Sequence, residues 1–117
     1  MRTDTAPLVA GPVVAPSPSA SVQDVMKYGL SHWTVLAEND QARVLRFAPE
    51  KGVKTPVHSH PSTVLYVVKG GRVRITMLDG STQEKEYKPG AAFVRAAETH
   101  SDEAVDAVEL ILVELKN

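Results

Sequence analysis

The chain has no cysteine, which excludes a disulfide framework, a thiolate metal site and a cysteine nucleophile together. It leaves the compartment open, because a thiol-free chain is compatible with any redox environment. Excess charge is also missing. Thirteen lysines and arginines face 14 aspartates and glutamates, for a net charge of −1, so no basic footprint exists for nucleic acid or an anionic membrane. No run approaches the ~18 consecutive apolar residues that would span a bilayer. Glycine-rich phosphate loops, nucleophile elbows and HExxH motifs are absent too, leaving phosphoryl transfer, serine hydrolysis and zincin chemistry without support.

What is present fits one small folded unit. A length of 117 residues with 43% apolar content allows one domain around one core. Residues 1–21 hold Pro7, Pro12, Pro16 and Pro18 with Ser17, Ser19 and Ser21, a composition unsuited to helix or sheet. The apolar stretch Pro7–Ala15 resembles a worn secretory signal. However, Gly11 and Pro12 interrupt it and the start Met-Arg-Thr-Asp carries one charge of each sign, so a flexible or loosely docked tail is expected. A single domain then covers 22–117, opening with a short helical turn over Val22–Leu30. A cytoplasmic location follows from preferring the tail reading.

From Trp33 onward the sequence reads as extended segments cut by turn residues. Strands are expected over 33–38 and 42–48 about an Asn39-Asp40 turn, over 57–60, and over 63–69 as a continuous buried run. Gly70-Gly71 turns into 72–77, where Val73, Ile75 and Met77 alternate with Arg72, Arg74 and Thr76. Asp79-Gly80 is a hairpin turn. The polar segment 83–88, the turn Pro89-Gly90, and segments 91–95, 99–103 and 107–115 follow. About nine short strands with close turns argue for an all-β sandwich or barrel with antiparallel pairing. Tyr66, Val68, Val73, Ile75 and Met77 are expected to line its interior.

His58 and His60 lie two apart on an extended segment, so both rings leave one face while Ser59 points away. Two imidazoles so placed can share a metal ion, and His100, on a later strand, is the candidate third ligand. His32 beside Trp33 precedes the barrel and reads as structural or surface. Glu98, two residues before His100, is a candidate acceptor behind a ligand or a fourth ligand. Glu109 sits among apolar strand residues and Arg95 could attract an anionic substrate, although both residue types more often serve the surface.

The spacing Gly52, five residues, His58, one residue, His60, three residues, Val64, six residues, Gly71 resembles the first motif of the cupins, with Val64 where that motif has an acid. Pro89-Gly90 opens a segment similar to the second motif. There Ala96 and Glu98 replace the usual proline and glycine, His100 comes one residue early, and Ala104 replaces an asparagine. The resemblance covers 42–115. It implies a cupin-type double-stranded β-helix, a jelly-roll barrel, with metal ligands at His58, His60 and His100. It also implies a divalent ion (iron, manganese, nickel or zinc), a small-molecule ligand or substrate, and a homodimer.

The segment Ser62–Leu65 contains no acid, so the expected donor set is three neutral imidazoles. The full +2 charge would then favour an anionic or bidentate partner. Three functions follow as expectations: a mononuclear metal dioxygenase or oxidoreductase acting on a small molecule, a non-catalytic module binding a small ligand or metal, and a purely structural dimerising barrel.

Overall fold

Nine strands and no helix form over residues 32–116, the part of the chain that the structure, a computed structural model, describes. The strands are β1 (Trp33–Glu38), β2 (Ala42–Phe47), β3 (His58–His60), β4 (Thr63–Lys69), β5 (Gly71–Met77), β6 (Thr82–Tyr87), β7 (Ala92–Arg95), β8 (Glu98–Ala104) and β9 (Glu109–Leu115). The tail over 1–21 and the turn over 22–30 lie outside the described residues.

Turn chemistry sets the strand limits. Asn39 Oδ1 accepts from the backbone N–H groups of Gln41 and Ala42 at 2.8 and 2.9 Å, closing the β1–β2 hairpin as expected. Gly80 and Gly90, with φ of +88° and +85°, occupy the left-handed region in the turns after β5 and β6. At Gly70 the reason for glycine is space. A Cβ there would meet the Tyr87 carbonyl oxygen at 2.5 Å and Pro89 Cδ at 2.7 Å.

The strands form two antiparallel sheets, five-stranded in the order β1-β2-β9-β4-β7 and four-stranded in the order β3-β8-β5-β6. Every interior strand alternates. Leu45 and Phe47 of β2, Leu65 and Val67 of β4, and Leu110 and Leu112 of β9 turn inward from the first sheet. Val73, Ile75 and Tyr87 meet them from the second. Leu45, Leu112 and Leu65 are directly paired across three strands, so an unbroken apolar row crosses the middle of the core.

Strand β4 departs from the expectation of a wholly buried run. Its outward residues Tyr66 and Val68 are 47% and 44% exposed, so they do not line the interior as expected, whereas Val73 and Ile75 do. Continuous apolar sequence marks a strand, and the pleat still sends alternate side chains outward. The outer face of this sheet is correspondingly apolar.

Candidate metal centre

The three histidines meet inside the barrel. Strand β3 pairs with β8 in a register that sets His58 directly opposite His100, and the period of two carries His60 to the same inner face. Ser59 and Thr99 take the other face, with their hydroxyls 2.7 Å apart. His58, His60 and His100 are all buried, and each offers a ring nitrogen within 4.8 Å of the others.

The partners of the rings decide which nitrogens those are. His58 Nδ1 donates to the Pro56 carbonyl at 2.8 Å. His60 Nδ1 donates to Glu114 Oε2 at 2.6 Å, and Glu114 Oε1 accepts from Arg43 Nη2 at 2.6 Å. His100 Nδ1 donates to Glu98 Oε2. Carbonyl and carboxylate oxygens can only accept, so each Nδ1 carries a proton, and the Nε2 of a neutral ring is the nitrogen left to bind a metal. His58 Nε2 is buried with no hydrogen-bond partner.

Two of these acids escaped the sequence reading. Glu114 reaches His60 from the opposite sheet, on β9. Its phase was visible in the alternation Leu110, Leu112, Glu114, all buried. Asp102 shares the inner face of β8 with Glu98 and His100. Its Oδ2 lies 3.3 Å from His58 Nε2 and 3.5 Å from His100 Nε2. Asp102 thus brings an acid close to the rings of His58 and His100 from β8, although the segment after His60 has none. Glu98 holds the role of acceptor behind His100. Glu109, by contrast, turns outward and pairs with Arg46 at 2.8 Å, and half-buried His32 keeps clear of the three rings, its carbonyl accepting from Ala48 N–H at 3.0 Å.

Electrostatics disfavour a proton on His100. Burial pushes the His100 imidazole below its ordinary value of 6.5, with the nearby rings of His60 and His58 adding to the drop and Asp102 and Glu98 opposing it. Burial acts to raise the Asp102 carboxyl, but contact with His58 and the pull of all three imidazoles outweigh it and hold it below the usual carboxylate range. A carboxylate buried among three closely set imidazoles is a polar cluster whose charges must be paired. The orphaned His58 Nε2 and this clustering of acceptors fit a divalent metal ion.

His60 and His100 line a narrow cavity of about 20 Å³, whose wall also holds Asp102, Trp33, Tyr87 and Arg95. Trp33 stacks on Phe47 with ring centroids 4.2 Å apart and lies 5.6 Å from the His60 ring. Burial raises the Tyr87 hydroxyl above its ordinary range, with Arg95 pulling the other way. Arg95, read as a surface candidate, thus sits at the chemistry.

No protein-family model matches the sequence, and no curated protein does. Solved structures do match in fold. A cupin domain from Bordetella pertussis Tohama I has a TM-score of 0.65 at 18% identity, over 73% of this chain and 92% of that one. A cupin superfamily protein from Desulfitobacterium hafniense DCB-2 has a TM-score of 0.58 at 16% identity, over 73% and 76%. An RmlC-like cupin with a double-stranded β-helix fold, from Methanocaldococcus jannaschii, scores 0.57 at 18% identity, over 72% and 78%. With its two antiparallel sheets and inward histidines, this chain has the cupin fold.

Proposed function

We propose that the protein is a metal-dependent cupin that binds a small anionic molecule beside the ion and acts on it as a dioxygenase-type oxidoreductase. The observation that carries this reading is the convergence of His58, His60 and His100 with every Nδ1 already engaged, leaving three buried Nε2 lone pairs aimed at shared space. A redox-active divalent ion held by His58, His60 and His100 would supply Lewis-acid and redox chemistry at its open coordination positions.

The remaining work falls to the chain's own residues. Glu114, Glu98 and the Pro56 carbonyl fix ring orientation and tautomer. Trp33, Phe47, Leu65 and Leu112 dry the wall, which strengthens every charge interaction inside it. Arg95 supplies recognition. Arg43, Arg46, Arg72 and Arg74 all hold carboxylates, whereas Arg95 makes no ion pair among the described residues and faces the cavity. A guanidinium so placed suits a carboxylate on the ligand, and a cavity of about 20 Å³ admits only a very small group beside the rings.

The test is elemental analysis of tag-free protein followed by oxygen uptake. One divalent ion per chain is expected, lost in His60→Ala and His100→Ala. Iron-reconstituted protein should consume oxygen with one member of a panel of diketones, thiols and phenolic acids. Absence of metal from all preparations overturns the reading. Metal without oxygen uptake under any reconstitution reduces it to a metal-containing ligand-binding module.

A further inference from the structure

We infer that Tyr87 and Arg95 together clasp the carboxylate of the ligand while Phe93 receives the rest of it, so that the ligand is a carboxylic acid with an apolar body. This rests on the small-anion reading above and deepens it, naming Tyr87 and Phe93 as residues that determine specificity.

The clasp follows from how two donors are joined. Tyr87 ends β6 and Arg95 ends β7, the outer strands of the two sheets, and both line the cavity. The Arg95 guanidinium is the hydrogen-bond partner of the Tyr87 hydroxyl. A guanidinium can only donate, so the phenol oxygen accepts and keeps its own proton to give. Arg95 retains further N–H donors in its planar fork. The two acids that act on Tyr87 are engaged elsewhere. Asp102 lies against His58, and Glu98 accepts from His100 Nδ1. A hydroxyl and a guanidinium side by side match the two oxygens of a carboxylate. Trp33 lines the same cavity, and its Nε1–H is buried without a hydrogen-bond partner. The wall thus holds donors that call for an acceptor.

Size decides what else enters. A cavity of about 20 Å³ takes roughly one water-sized group, so a carboxylate oxygen fits and the body of the ligand stays outside. Phe93 is placed to receive that body. It lies two residues before Arg95 on the same face of β7. Its ring is 42% exposed and stands 6.0 Å from that of Tyr87. An exposed aromatic surface beside a carboxylate clasp favours an apolar body over a hydroxylated one.

Trp33 is the only tryptophan of the chain, so its fluorescence reports occupancy of the cavity it lines. Benzoate, acetate, benzamide and inorganic phosphate are titrated into metal-free and zinc-treated protein. The variants are Tyr87→Phe, Arg95→Lys and Phe93→Ala, with circular dichroism as the check on folding. Should Tyr87→Phe fail to fold, Arg95→Lys and Arg95→Gln carry the test of the clasp. Wild type is expected to bind benzoate more tightly than acetate, and benzamide and phosphate at least 10-fold more weakly than benzoate, roughly the worth of one charge-assisted hydrogen bond. Tyr87→Phe and Arg95→Lys should each weaken benzoate by about 10-fold or more. Phe93→Ala should bring benzoate down to the affinity of acetate and leave acetate unchanged. Equal affinity for benzoate and benzamide, or benzoate binding unaltered by both clasp variants, overturns the clasp. Equal affinity for benzoate and acetate in wild type overturns the apolar body. Absence of benzoate binding in both forms overturns the whole inference, whatever metal content and oxygen uptake show. Benzoate binding by a protein that takes up no metal leaves the clasp standing and removes the metal reading beneath it.

Discussion

At His60 the ring is steered from across the barrel: Glu114 accepts a hydrogen bond from its Nδ1 at 2.6 Å and is itself held by Arg43. Glu114→Gln keeps the shape but removes the charge that makes His60 a stronger donor. Metal affinity should fall about 10–100-fold, read by chelator competition, with the cobalt spectrum largely kept because the inner donors stay. His100 gives a pH prediction. Its folded-state value lies below 6.5, so the unfolded chain binds more protons there, and metal-free protein gains stability as pH rises towards 6.5 and loses it as pH falls below. Denaturant midpoints across pH 5 to 8 should show this slope, steeper once metal is included because protons then compete for the same lone pairs. A flat profile in both states would contradict the downward shift at His100.

Among the elements, β8 and β9 do the most to make the site, and both do so by alternation. On β8 Glu98, His100 and Asp102 share the inner face, placing acceptor, proposed ligand and acid in consecutive inward positions. On β9 Leu110 and Leu112 anchor the phase that turns Glu114 inward. Leu112 pairs with Leu45 on one side and Leu65 on the other, and all three are essentially inaccessible. Leu112→Ala should therefore cost about 2–5 kcal/mol through lost burial and residual cavity. The measurement is a lower denaturant midpoint at unchanged slope. A cost under about 1 kcal/mol would mean that the row repacks freely.

For the whole molecule, the outward face of the five-stranded sheet carries an apolar row that residues 32–116 leave at least partly exposed. Val94 pairs with Val64, Val64 with Val113 and Val113 with Val44, and Val94 is 79% exposed. An apolar stripe across four strands is the kind of surface that associates. The homodimer expected from the resemblance is predicted to use it, so Val64→Lys with Val94→Lys should shift the mass from dimer to monomer by light scattering without loss of metal. A wild-type monomer, or a doubly substituted dimer, would refute this.

Read alone, the amino-acid sequence determined the nine strands, their turns and the pairing of His58 with His60 on one face, because a period of two and residues such as Asn39, Gly80 and Gly90 act over a few positions. It also marked His100 and Glu98. Glu114, Asp102 and Arg95 were decided by the tertiary structure, because their roles depend on which strand lies opposite which across two sheets. The inward phase of Glu114 and Asp102 was readable from Leu112 and His100 two residues before them. That those carboxylates would end against imidazoles from β3 was set by the register of β8 on β3 and by closure of one sheet over the other, which no local pattern encodes.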